Sequence, residues 1–220
     1  MNFKKKHFVL AVLFILPLFA YMFFASGVYN FAKLDTVQEN VLNDDSYPIL
    51  LQDSLITFED KITILSFLGG DVNTKKAYAF NLKEKIYDKN KDFNDLQFIS
   101  IVTPNQTDEV ANFIKDVDFT SEADKWFFVE VEARKLNSLF DTFQTNLDLD
   151  ELNSTNYVFI IDKKRNLRGR LEDEDGSIRY GYNMASVAEL SKEMNDDVKI
   201  ILAEYRLALK KYNNDKDISE

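Results

Sequence analysis

The chain has 220 residues, is 45% hydrophobic, contains no Cys and carries a formal charge of −10. That apolar share excludes a disordered chain, and the missing Cys excludes a thiolate nucleophile, a CxxC redox couple and a thiolate metal site. Six Gly and three Pro are too few for a low-complexity or fibrous repeat.

With Lys4, Lys5 and Lys6 set apart at the N-terminus, the remainder carries 24 basic and 37 acidic residues, a balance of −13. Such a surface repels phosphate backbones and anionic lipid heads, so nucleic acid is not an expected partner. The only imidazole is His7, ahead of the apolar segment, so neither a His-based copper or zinc site nor a Ser-His-Asp triad is expected within the folded domain.

Residues 1–7 read as a basic leader. Residues 8–25, FVLAVLFILPLFAYMFFA, are uncharged and almost wholly apolar. At about 1.5 Å per residue, roughly 20 residues cross the hydrocarbon layer, and the stretch 8–29 is long enough. The lysines before it place the N-terminus inside and the remainder outside. Tyr21 and Tyr29 suit the outer interface, and Pro17 is tolerated in a spanning helix. The alternative is a cleaved signal peptide, since Ala25 and Gly27 have small-x-small spacing. An apolar run longer than the usual signal core favours the anchor, and either reading exports the domain.

Residues 30–47 show no period and are expected to be a tether. Folded structure is expected over 48–212, with 213–220 a polar tail. After short extended pieces at 48–50 and 55–58, Lys61–Leu68 is the strongest strand, nearly continuous in apolar character as a strand buried on both faces should be. Gly69-Gly70 breaks it. A helix follows from Asn73 to Tyr87, with Ala77, Phe80, Ile86 and Tyr87 expected inward. Leu96–Val102 is a second strand. Pro104 ends it, and Thr107 is the expected N-cap of the next helix, with Asp108 and Glu109 in its first turn. Trp126–Val131 is a third strand, followed by the helix ARKLNSLFDTF. Tyr157–Ile161 and Leu167–Leu171 form a hairpin around 162–166, and a second turn is expected at Glu172–Gly176. A long helix, Ala185–Tyr212, closes the domain with Met194, Val198, Ile201, Leu202 and Tyr205 as its buried stripe. Strands alternating with helices imply an α/β domain with a mixed sheet covered on both faces.

ILSFLGG before a helix, FISIVTPNQTDEVANFI, Trp126 before a short strand, KLNSLFDTF and YVFIIDKKRNLRGRL together resemble the Sco/SenC family of membrane-anchored proteins, over roughly residues 48–212. The resemblance implies a thioredoxin-like, peroxiredoxin-like fold and a part in cytochrome oxidase assembly. It also exposes a departure. The family's CxxxC pair falls near Asp71 and Lys75, and its copper-binding His falls within Glu151–Tyr157, where no His stands. A degenerate member without the copper and thiol chemistry is implied.

The candidate site is therefore the loop Gly69, Gly70, Asp71, Thr74 and Lys75, with Ser154, Thr155 and Asn156 as partner contacts. Asp71 and Thr74 are expected to cap the helix rather than to catalyse. The only candidates for a metal are Glu172, Asp173, Glu174 and Asp175, an oxygen-rich run suited to a hard cation but without EF-hand spacing. A solvated hairpin turn around Asp175-Gly176 accounts for it as well. Met184 and Met194 read as helix packing. The expectation is a protein of the bacterial cytoplasmic membrane, with its domain on the extracytoplasmic side and no cofactor. It is expected to act by binding another envelope or membrane protein rather than as an enzyme. The alternative is an enzyme or ion-binding protein that uses the carboxylates at 172–175.

Overall fold

The computed structural model describes residues 5–25, 33–42, 46–117, 125–173 and 175–217. It divides into two units, residues 1–32 and 33–220. The first unit holds helix α1, Lys5–Ala25. Its described side chains are Lys5 and residues 12–22, all exposed. Among the described residues no helix is long and apolar enough to cross a membrane. Gly27 and Tyr29 lie outside the described residues.

The second unit is built on a mixed sheet. Its strands are β1 (Asp35–Gln38), β4 (Ile62–Gly69), β5 (Leu96–Val102), β6 (Trp126–Glu130), β7 (Tyr157–Ile161), β8 (Leu167–Gly169) and β9 (Tyr182–Asn183). A two-stranded ribbon of β2 (Tyr47–Pro48) and β3 (Leu55–Ile56) stands apart from that sheet. The order across the sheet is β1-β8-β7-β4-β5-β6, with β9 also on β7. Strands β4, β5 and β6 run parallel; β7 is antiparallel to β4, and β8 to β7.

The apolar run of β4 is continuous because both of its faces are covered. Ile62, Ile64 and Leu68 face one core with Leu96, Phe98 and Val102 of β5. That core is closed by α2 (Val72–Leu82), α4 (Thr107–Asp116) and α7 (Asn195–Asp217). Leu65 and Phe67 face the other core, closed by α5 (Ala133–Asp141) and by Val41, Leu42, Tyr47, Ile49 and Phe58. Phe67, Phe140, Phe143 and Phe159 meet there edge to face, at centroid distances of 5.1–5.9 Å except for the stacked pair Phe140 and Phe143.

Several local expectations are corrected. Asp35–Gln38, expected within an unpatterned tether, pairs with β8. Leu34, Val41 and Leu42 are buried, so apolar residues too sparse to show a period still complete the cores. The described parts of that stretch exclude Asn43, Asp44 and Asp45. The helix after β4 buries Val72, Lys75, Ala79, Leu82, Ile86 and Tyr87, while Ala77 and Phe80 point outward. The inward stripe contains a lysine, and this displaces the apparent 3.6-residue phase. This helix runs on through a π turn (Lys83–Tyr87) into α3 (Asp88–Asn90). Helix α4 starts with Gln106, not Thr107, at its N-cap, without a side-chain cap. The closing helix runs from α6 (Val187–Glu189) through a second π turn (Leu190–Met194) into α7, which reaches Asp217 and so takes in part of the expected tail.

Candidate functional site

Strand β4 lies where the chain changes direction across the sheet, with β5 on one side and β7 on the other. Its C-terminal end is the switch point at which open α/β sheets present ligand sites. The described residues there come from the loop after β4 and the loop before β7.

Gly69 ends β4 at a register irregularity and adopts φ +54°. A Cβ at this position would lie 2.2 Å from the Leu152 carbonyl oxygen and 2.4 Å from that of Asn153. Glycine is required on both counts, conformation and close approach. The Gly70 amide donates to the Leu152 carbonyl (2.8 Å), the Thr103 amide to the Gly69 carbonyl (3.0 Å), and the Thr155 amide to the Phe67 carbonyl (3.0 Å). The two glycines therefore bring backbone against backbone.

Asp71 occupies the N-cap of α2 but its side chain makes no capping bond. Thr74 is exposed on the first turn. The expected capping by these two residues is replaced by an ion pair, because Asp71 turns toward Lys75 (3.9 Å). Lys75 is 6% exposed. Its ammonium donates to Asn156 Oδ1 (2.7 Å), lies 3.7 Å from Asp150 Oδ2, and sits over the Tyr78 ring at 5.9 Å.

Asp150 organises the second loop. Its carboxylate accepts from the amides of Leu152 (3.0 Å) and Ser154 (2.9 Å) and from the Ser154 hydroxyl (2.6 Å). Burial pushes the Asp150 carboxyl up, but the Ser154 hydroxyl and amide, the Leu152 amide and the Lys75 charge outweigh it and hold the group below the usual carboxylate range.

Ser154 and Thr155 are buried, and their polar atoms serve the loop itself. Asn156 is half-buried, and its carbonyl accepts from the Met184 amide (2.8 Å). The exposed part of this loop is Asp150, Glu151 and Leu152. Sequence reasoning missed Asp150, whose only signal was an Asp followed four residues later by Ser.

The acidic turn is a different place. Asp173 is held by Arg170 (3.3 Å) and by Arg179, whose Nε lies 2.8 Å from Asp173 Oδ2. Arg179 also donates to Glu189 (2.8 Å), and Glu193 lies 2.6 Å away as an ion pair without hydrogen-bond alignment. Asp197, 2% exposed, accepts two bonds from Arg170 (2.9 and 3.0 Å) and one from the Tyr182 hydroxyl (2.5 Å). The hydrogen bond to Asp197 holds the Arg170 guanidinium above its ordinary value, and burial beside Asp197 pushes the Tyr182 hydroxyl up. Asp175 is exposed, and its carboxylate accepts from the Ser177 hydroxyl (2.6 Å) and amide (2.9 Å), which hold it below the usual carboxylate range. Glu172 is exposed, and Glu174 lies outside the described residues. Among the described residues no group of three His, Asp or Glu converges to hold a metal. The arginines here were not singled out from sequence; of the run of acids, Asp173 is the residue their guanidiniums bind.

No protein-family model and no curated protein matches the sequence. Similar solved structures include a Bacteroides thetaiotaomicron protein provisionally assigned as a protein disulfide isomerase. It is 16% identical, over 78% of this chain and 95% of its own, with a TM-score of 0.49. They also include a secreted Mycobacterium tuberculosis disulfide oxidoreductase (11% identity, 67% and 92% coverage, TM-score 0.41). Copper-bound ScoI of Arabidopsis thaliana is a third (12% identity, 71% and 98% coverage, TM-score 0.43). At these values the strand order, not the likeness, defines the fold. A β4–α2–β5 crossover, a parallel β6, an antiparallel β7–β8 hairpin and a closing helix give the chain a mixed α/β, thioredoxin-like fold, whose structural neighbours take in both Sco and disulfide-oxidoreductase proteins.

Proposed function

We propose that this chain is a membrane-anchored, non-catalytic protein of the bacterial envelope that works by holding another protein at the C-terminal end of β4. The observation that carries the reading is Lys75. Where a thiol-based member of such a fold keeps its reactive group, this chain has an ammonium already committed to Asn156, Asp150 and Asp71. That side chain is taken up by one amide and two carboxylates, and no Cys stands in the chain to act as nucleophile. What remains for a partner is shape and charge: the exposed rim of Thr74, Asp150, Glu151 and Leu152.

Anchoring is supported by α1, whose described side chains from Val12 to Met22 are apolar and exposed on every side. A helix apolar all round needs burial, in a large core or in lipid. The three lysines before it favour an inside N-terminus and an extracytoplasmic domain. An accessory part in respiratory oxidase assembly is what the Sco/SenC resemblance implies.

The test is photocrosslinking in native membranes, with a photoreactive side chain placed at Thr74, Glu151 or Lys164. The last is exposed in the turn between β7 and β8, next to the start of β4 and away from the site. The expected result is one common adduct from positions 74 and 151 and none from 164. Equal adducts from all three, or dithiol exchange catalysed by the purified protein, would refute the proposal.

A further inference from the structure

Lys75 stands on the first turn of α2, where unpaired backbone amides make the helix end positive and a cation unfavourable. Its 6% exposure removes hydration as well. Only specific partners offset both costs, and they come from outside the helix body. Asn156 at 2.7 Å and Asp150 at 3.7 Å belong to the loop before β7, and Asp71 at 3.9 Å to the loop after β4. The same two loops are joined by two backbone bonds, from the Gly70 amide to Leu152 and from the Thr155 amide into β4 at Phe67.

We propose that Lys75 is a permanent charge latch that holds the loop after β4 against the loop before β7, so that the face offered to a partner is preset in one conformation. A cross-link made of sulfur or metal between these segments could be opened by reductant or chelator. A buried ammonium held by an amide and two carboxylates has neither trigger. A preset face lowers the ordering cost of association. This rests on the protein-binding reading for its purpose, but the latch has a test of its own.

Native-state hydrogen exchange reads the Gly70 and Thr155 amides, which span the two loops. The amides of Ile62 and Phe98, bonded to Asp95 and Lys125 at the far end of the sheet, serve as controls. Lys75→Met keeps the stem and removes the charge. The expected result is at least a tenfold faster exchange of Gly70 and Thr155 relative to the controls. Asp150→Asn, which keeps an oxygen for the Leu152 and Ser154 amides, shifts the same pair in the same direction by less. It decides the matter if Lys75→Met does not fold. Equal acceleration at all four amides, or none, would overturn the latch. Faster exchange without any loss of the Glu151 adduct would overturn the claim that the latch presets the binding face. Absence of an adduct in the unaltered protein bears instead on the protein-binding reading.

Discussion

Replacing Gly69 by Ala tests the reading that this glycine exists for backbone contact. Two separate penalties apply, and Gly176 isolates the first. Gly176 has φ +79° with nothing within 4 Å of where a methyl group would stand, so Gly176→Ala meets only the left-handed backbone penalty, about 1–2 kcal/mol. Gly69→Ala meets the same penalty and also places its methyl 2.2 and 2.4 Å from two carbonyl oxygens. Those oxygens are main chain, so relief requires the 150–156 loop to move by about 1 Å. That movement costs about 1–3 kcal/mol as overpacking and about 1 kcal/mol for the 2.8 Å bond from Gly70 to Leu152. The expected total is about 3–6 kcal/mol, a fall in melting temperature of roughly 6–24 °C at about 2–4 °C per kcal/mol for a domain of this size. Gly70→Ala is the internal control: its nearest contact, the Thr103 hydroxyl at 3.3 Å, belongs to a side chain that can turn away. Urea unfolding followed by circular dichroism measures all three variants. A Gly69→Ala cost within about 1 kcal/mol of the Gly176→Ala cost would refute the close-approach reasoning.

Three further outcomes are expected. Arg168, 2% exposed, bonds the Asp162 carboxylate at 3.1 Å and Glu204 at 2.7 Å, so Arg168→Met leaves Asp162 buried without its cation and lowers stability by about 3–5 kcal/mol; a loss under about 1 kcal/mol in urea would contradict it. Burial raises the Tyr205 hydroxyl to about 12 and pushes Tyr182 above its ordinary value. Both contributions are complete below about pH 10, the unfolded value, and are lost as pH rises through the folded ones, so unfolding free energy falls across that window and Tyr205→Phe flattens the fall; a flat profile in the unaltered protein would count against it. Millimolar calcium is expected to leave the melting temperature unchanged, because Asp173 is bound by guanidinium and Asp175 by Ser177; a rise that Asp175→Asn abolishes would revive the ion-binding alternative.

The sequence by itself determined the chemistry that is missing and the order of the strands. A chain without Cys has no thiol in any conformation, and a nearly continuous apolar, β-branched run such as ITILSFL has the composition of a strand covered on both faces. Tertiary structure decided the rest, because it depends on groups that meet across long sequence separations. Asp35–Gln38 is too short and polar to announce itself, and becomes a strand only because β8 offers it an edge. Lys75 looks like a surface residue until Asn156, 81 positions later, gives its charge a partner, and that hidden lysine also shifted the apparent face of α2. The run of acids at 172–175 suggested a cation site, yet within it Asp173 is met by the guanidiniums of Arg170 and Arg179 and Asp175 by Ser177. Local pattern records which residues avoid water; which charges are neutralised, and by what, is set only when distant segments pack.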